Sequence, residues 1–154
     1  MKETLSYRIE WRMITAGTAD LDLSPISAQT WETKVKLRSA GLVNRLYYVH
    51  DDYLMRSDKQ FCAATSSLDA AEGKRRRITT LNFDSAQKRV HYQERDLVKT
   101  VVNNRELEVP ICTREVVGAL AYLRSHPPDV GKSTQVVVTD GKRLANVKIE
   151  ARGW

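Results

Sequence analysis

Two cysteines, Cys62 and Cys112, carry the most informative chemistry of this chain. Cys112 lies in the stretch PICTREVVGALAYLRSHPPDVG, at the entrance of a predicted helix. A thiol beside a helix N-terminus can be an activated nucleophile. Two cysteines can instead form one disulfide bond, and a strand joined to a helix entrance is a plausible span for it. The residue pattern alone leaves both possibilities open.

A cysteine enzyme also needs a base near the thiol, and the histidines give little support for one. His50, His91 and His126 are the three histidines, and none lies in a recognisable cysteine-protease context. The chain contains no G-x-S-x-G motif, no glycine-rich phosphate loop and no H-E-x-x-H motif. Two cysteines without C-x-x-C spacing cannot form a zinc site alone. We therefore expect a non-enzymatic protein with no catalytic residue, no metal and no cofactor.

The segment YYVHDDY is the densest polar and aromatic cluster, and its candidate functional pair is His50 and Asp51. These residues could form an acid–base pair or part of a metal site. The alternative is a strand entrance at which Asp51 makes turn hydrogen bonds. Aromatic residues could also line an apolar ligand pocket, although at strand spacing such residues more often form plain core. The candidate pocket residues are Trp11, Trp31, Tyr47, Tyr48 and Tyr53.

Alternation of apolar and polar residues predicts that β-strands position these candidates. Residues 5–23 predict a hairpin whose turn uses Gly17, because glycine tolerates turn backbone conformations. Residues 75–95 predict a second hairpin, and the DAAEG segment before it predicts a turn. Residues 133–152 predict a third hairpin, with a two-residue turn at Asp140-Gly141. Residues 39–49 break the alternation and predict a loop with a short helical turn.

One helix is predicted over residues 113–125, with Thr113 as the N-cap residue. Glu115 suits the positive end of the helix dipole. Pro127 and Pro128 end the helix, because proline cannot continue its hydrogen-bond ladder. An apolar stripe at helical spacing is formed by Val116, Val117, Leu120 and Leu123. The sum predicts a mainly β (α+β) fold: a curved, barrel-like antiparallel sheet of about nine strands, with this α-helix packed against it.

Length and charge limit the class of protein. The 154 residues are 42% hydrophobic and 29% charged, which predicts one soluble globular domain over residues 1–154. No apolar run approaches the roughly 20 residues that a membrane span needs. The net charge is +6, but the longest basic run, KRRR, lies on a predicted strand. Its side chains then alternate between two faces, so we expect no nucleic-acid partner.

Several segments together resemble one known family. ETLSYRIEWRMITAGTADLDL resembles the opening of a family of bacterial exported proteins, domain of unknown function 3108. RSAGLVNRLYYVHDDY is similar to the family's segment of small residues and aromatics. VPICTREVVGALAYLRSHPPDVGK is similar to its single helix, and TDGKR to its late hairpin. The resemblance extends over essentially the whole chain, in the same order.

This resemblance implies an exported, periplasmic protein and a Cys62–Cys112 disulfide, since the periplasm is oxidising. It also implies that the chain is truncated at its C-terminus relative to the family. It brings no established activity. We therefore expect a non-catalytic cell-envelope domain that binds a lipid, another apolar or amphipathic ligand, or an envelope partner. The alternatives are an assembly protein that pairs through an open sheet edge, and an enzyme using Cys112 or the His50–Asp51 pair.

Overall fold

A computed structural model gives the fold of this chain and describes residues 2–153. Within that range the chain forms ten strands and two helices. In chain order they are β1 Glu3–Trp11, β2 Ile14–Pro25, β3 Trp31–Ser39, α1 Gly41–Leu46, β4 Val49–Ser57, β5 Ala63–Glu72, β6 Arg75–Asp84, β7 Arg89–Asp96, β8 Val101–Glu108, α2 Val116–Ser125, β9 Ser133–Thr139 and β10 Leu144–Glu150.

Strands β1 to β8 form one antiparallel sheet in sequence order, while β9 and β10 form a separate hairpin. The mainly β prediction is confirmed. The expectation of one sheet is wrong, because the last hairpin pairs only with itself apart from a single bridge between Arg114 and Val138. Within the described residues β1 and β8 lie at opposite edges of the large sheet and do not pair with each other, so no closed barrel is found.

Both helices cover the same face of the large sheet, which we call the helix face. Gly118 of α2 lies against Met55, since a Cβ atom at Gly118 would be 3.1 Å from the Met55 Cε atom. Val43 of α1 lines a cavity together with Ile9 and Leu37, which share the face of Met55 by strand alternation. The two helices therefore lie towards opposite ends of the strands. The other face we call the open face, and neither of the two helices in the described range covers it.

The packing of α2 differs from the expected one. Its buried residues are small: Gly118, Ala119 and Ala121. The side chains of Val116 and Leu120, from the predicted apolar stripe, are 59% and 58% exposed. Because these small residues face the sheet, the backbone of α2 can lie close to Met55. Val116 and Leu120 then lie on a side of the helix that faces away from the core.

The first turn and the helix start also lie elsewhere than predicted. The turn between β1 and β2 is formed by Arg12 and Met13, both with positive φ, whereas Gly17 lies within β2. A Cβ atom at Gly17 would be 2.3 Å from the carbonyl oxygen of Arg38, so glycine serves a close backbone approach there. Thr113 is not the N-cap; its hydroxyl donates to the carbonyl of Pro110, and Glu115 occupies the cap position.

Two more predicted boundaries are wrong. Residues 69–72 of the DAAEG segment continue β5, and the turn follows at Gly73, where φ is +57°. The last hairpin has a four-residue connection over residues 140–143, not a two-residue turn. The Asp140 carboxylate accepts hydrogen bonds from the amides of Lys142 and Arg143, both at 2.8 Å, and so closes this loop.

The substitution Gly141→Ala tests how the last hairpin packs on the sheet. Gly141 has a φ of +82°, and a Cβ atom there would lie 2.7 Å from Tyr92 and 2.9 Å from Leu81. Gly131 has the same φ and no atom within 4 Å of its Cβ position, so it is a matched control. We expect Gly131→Ala to lower the free energy of unfolding by about 1 kcal/mol, and Gly141→Ala by about 3 kcal/mol. Urea unfolding measures both, and equal losses would contradict this packing.

Candidate functional site

An apolar band crosses the helix face between α1 and α2, and we call it the trough. Cross-strand pairing puts Leu5 beside Leu21, Leu21 beside Val35, and Tyr53 beside Leu68 on this face. These leucines and Val35 are only half-buried, although they face the side of the sheet that carries the core. The trough is defined by Leu5, Leu21, Val35, Leu37, Tyr53 and Leu68.

A cavity of about 190 Å³ opens beside the trough at the start of α2, and we call it the Glu115 cavity. Its apolar lining comes from Leu68 and Leu81 of the sheet and from Val116 and Val117 of α2. Glu115 lines it as well and is only 7% exposed. The cavity therefore combines apolar side chains with one buried acid.

Glu115 is held by two hydroxyl groups from neighbouring strands. The Ser66 hydroxyl on β5 donates a hydrogen bond of 2.7 Å to Oε1, and the Tyr53 hydroxyl on β4 donates to Oε2. Burial raises the pKa of Glu115 above its ordinary value, and the two hydrogen bonds partly oppose that rise. Burial and the neighbouring Glu115 carboxylate also raise the pKa of Tyr53. Tyr53 is therefore the proton donor of this pair.

One patch of the helix face, on β5 to β7, is ionic. Arg77 lies 2.7 Å from a carboxylate oxygen of Glu72 and 3.7 Å from one of Glu94, and Lys142 reaches Glu94 at 3.4 Å. Burial, followed by the charge of Glu72, raises the pKa of Asp51 on the neighbouring strand. This charged patch lies beside the buried apolar cluster of Leu81, Val90 and Tyr92 on the same strands.

A second, smaller cavity of about 140 Å³ lies on the other side of the trough, against α1. Ile9, Leu37, Val43, Tyr47 and Val49 line it. Arg38 also lines it, but its guanidinium is bound to the carboxylate of Asp52. Apolar atoms form nearly all of the lining, so the cavity offers mainly apolar contact.

The predicted aromatic pocket residues do not share one cavity. Tyr53 lines the Glu115 cavity, and Tyr47 lines the cavity at α1. Trp31 packs in the core against Phe61, with ring centroids 5.8 Å apart. Trp11 lies at the end of β1 and is 60% exposed.

The remaining candidates lie around His50. Tyr48 stacks on the ring of His50 with centroids 6.1 Å apart. His50 and Asp51 are successive residues of β4, so their side chains point to opposite faces. His50 lies 3.6 Å from a carboxylate oxygen of Asp52, while Asp51 accepts a hydrogen bond from the amide of Ala71. The structure does not bring His50 and Asp51 together.

Cys62 and Cys112 are joined as a disulfide, with Cα atoms 4.6 Å apart. The same two segments are also linked by a 3.0 Å hydrogen bond from the amide of Ala63 to the carbonyl of Thr113. A bonded Cys112 has no thiol to act as a nucleophile. The pairing implied by the family resemblance is therefore supported.

Sequence reasoning missed the partners of the buried acid. Glu115 was recognised only as a residue that suits a helix dipole, and Ser66 not at all. Their pairing joins β5 to the start of α2 across 49 positions of sequence, and no local pattern reveals it.

Two further findings concern metal ions and membrane spans. Over residues 2–153 no cluster of three or more His, Cys, Asp or Glu residues is suitable for a metal ion. Within the same range no helix is long and apolar enough to cross a membrane.

Comparisons with known proteins identify a family and nothing more specific. No curated protein and no solved structure matches the chain. The family model described as "Protein of unknown function (DUF3108)" matches residues 6–153. That range covers nearly all of the 154 residues. The chain therefore belongs to the DUF3108 family.

Proposed function

We propose that this chain is a non-catalytic binding domain that takes an apolar or amphipathic small molecule in the trough. The observation that carries the proposal is the half-buried apolar band between the two helices, with a cavity beside it at each helix. Buried apolar surface is the main favourable term in small-molecule binding, and ligand sites are mostly apolar with a few polar groups. The trough has this composition, with Glu115 as a polar group beside it.

The exposed residues around the trough support the same proposal. Tyr7 and Ile9 on β1 are 52% and 39% exposed on the helix face, and Val116 of α2 is 59% exposed at the Glu115 cavity. Exposed apolar side chains therefore lie beside the cavities at both helices, and exposed apolar surface marks sites of interaction. The disulfide supports an oxidising compartment such as the periplasm, because cytosolic thiols stay reduced.

A fluorescent apolar probe, N-phenyl-1-naphthylamine, tests the trough. We expect the unmodified protein to bind the probe and Leu68→Gln to weaken binding by about tenfold, because it removes apolar contact at the Glu115 cavity. Leu54→Gln is the matched control, since Leu54 is also half-buried in the same sheet but faces the open side, where it lines a separate cavity of about 450 Å³ with Lys34 and Ser67. Weakening by Leu54→Gln alone would place the probe in that cavity and contradict the proposal. Titration of probe fluorescence with each variant gives the affinities.

Two further outcomes would contradict the proposed binding site in the trough. Equal weakening by both leucine variants would place the probe outside the trough. No binding at all, together with an oligomer in light scattering, would replace the proposal with assembly through the edge strands. Within the described residues β1 and β8 are edge strands, so each has one row of backbone groups available for pairing with a partner strand. Both edges also expose apolar residues, Trp11 on β1 and Val101 and Val102 on β8.

A further inference from the structure

The buried carboxylate of Glu115 has no cationic partner within residues 2–153. No Lys, Arg or His of this range forms an ion pair with it. The neighbouring Arg114 points elsewhere: its Nε donates to the carbonyl of Gln60 at 2.9 Å, and its guanidinium lies 4.0 Å from the ring centre of Tyr122. Two hydroxyl groups alone support the charge, although buried charges are normally paired.

The rest of the cavity wall adds negative charge and no positive charge. Asp140 lines the same cavity and is exposed, with its carboxylate fixed by the backbone of the last hairpin. Tyr53, Thr79 and Thr139 supply hydroxyl groups, and the other lining residues are Ser66 and four aliphatic side chains. Among the described residues, no lysine, arginine or histidine lines the cavity. A bound group with positive charge would therefore be complementary to the site.

Both oxygens of Glu115 keep acceptor capacity. Each accepts one hydroxyl hydrogen bond, whereas a carboxylate has about four lone-pair sites in total. A primary ammonium group has three donors and can use the remaining sites, and a hydrogen bond between charged groups is roughly twice as strong as a neutral one. A quaternary ammonium has no donor and is normally bound by an aromatic cage. Within residues 2–153, Tyr53 is the sole aromatic residue of the lining, so this part of the chain supplies no such cage.

We propose that the Glu115 cavity binds a primary ammonium group on an alkyl chain, with the carboxylate of Glu115 as its hydrogen-bond acceptor. This inference rests on the proposed function, because it names the polar end of the amphipathic ligand. The cavity of about 190 Å³ has the volume that roughly six water molecules occupy in the liquid. That volume is enough for the ammonium group and the first carbons of the alkyl chain. Leu68 lines the cavity and also belongs to the trough, so the chain continues from one into the other.

Isothermal titration calorimetry with three probes of equal chain length tests this proposal: octylammonium, octanol and octanoate. At neutral pH we expect octylammonium to bind the unmodified protein at least about tenfold more tightly than octanol, and octanoate most weakly. Glu115→Gln keeps the shape of the side chain and removes its charge. It should weaken octylammonium by at least about tenfold and leave octanol unchanged. Asp129→Asn, which neutralises an exposed acid outside the cavity, is the matched control and should change nothing.

Proton release gives a second readout. Burial raises the pKa of Glu115, so in mildly acidic buffer a fraction of the carboxyl groups carries a proton. Binding of an ammonium favours the ionised carboxylate and releases that proton to the buffer. The apparent binding enthalpy should then differ between two buffers of unequal ionisation enthalpy for the unmodified protein, and should not differ for Glu115→Gln.

The outcomes separate the two proposals. If octanol binds as tightly as octylammonium, the ammonium site is wrong and the apolar trough stands. If octylammonium binds Glu115→Gln as tightly as it binds Asp129→Asn, Glu115 is not the acceptor and the inference is wrong. If none of the three probes binds, the proposed function fails together with the inference. If Glu115→Gln does not fold, the affinities of the unmodified protein for octylammonium, octanol and octanoate decide by themselves whether the cavity prefers an ammonium group.

Discussion

Replacement of both Cys62 and Cys112 by alanine is expected to lower the free energy of unfolding by about 4 kcal/mol. The two cysteines are 50 positions apart, and the bridge closes a loop that contains β5 to β8. In the chain-entropy model a closed loop of this length removes many conformations from the unfolded chain, which raises its free energy. Urea unfolding followed by circular dichroism measures the difference.

The native structure has other links at the same place, so the variant should fold to the same structure. Arg114 donates to the carbonyl of Gln60, and the amide of Ala63 donates to the carbonyl of Thr113. These bonds hold the start of β5 against the entrance of α2 without the sulfur atoms. The bridge therefore acts mainly on the unfolded state.

Chemical reduction of the unmodified protein is the control for the double variant. The reduced protein and the variant should have similar free energies of unfolding, and a reductant should not change the variant further. A loss below about 1 kcal/mol in both would contradict the chain-entropy account of this bridge.

The sequence predicted the strands of the large sheet well because each has one wet face. In β1, Leu5 and Tyr7 alternate with Ser6 and Arg8, and this period of two predicts the strand correctly. Burial follows it only at Leu5, because β1 is an edge strand and Tyr7 is 52% exposed. Turn positions were predicted less well. The sequence predicts the first turn at Gly17, but the structure has a glycine there because the carbonyl of Arg38 approaches its backbone closely. The turn itself is formed by Arg12 and Met13, both with positive φ.

The candidate site was predictable only in part. The cysteines have a specific pairing chemistry, so a family resemblance was enough to identify the bridge. Tyr53 was recognised as an aromatic residue but not as the hydroxyl donor to Glu115, because that contact spans 62 positions of sequence. The apolar residues of α2 do follow helical spacing, but Val116 and Leu120 of this stripe are exposed and do not lie in the core. Gly118 and Ala119 turn the small face of the helix to the sheet, which leaves Val116 at the cavity.

Glu115→Gln is expected to stabilise the protein increasingly as the pH rises. The folded-state pKa of Glu115 lies above its unfolded value, because burial disfavours the charged form. Such a group contributes stability that is fully present below the unfolded pKa and is lost as the pH rises through the folded pKa. Glutamine stays neutral throughout. The free energy of unfolding of the variant minus that of the unmodified protein should therefore rise across this window and then level off.

Urea unfolding at several pH values, from below the ordinary pKa of glutamate to neutral, measures this difference. Subtraction of the two proteins removes the contribution of Asp51, whose pKa burial also raises. The charged or titratable groups that face Glu115 are Tyr53 from β4 and Asp140 from the last hairpin, and Tyr53 stays protonated in this range. A difference that does not change with pH would mean that the carboxylate is solvated or already paired. The electrostatic basis of an ammonium site at Glu115 would then be lost, while the apolar trough would be unaffected.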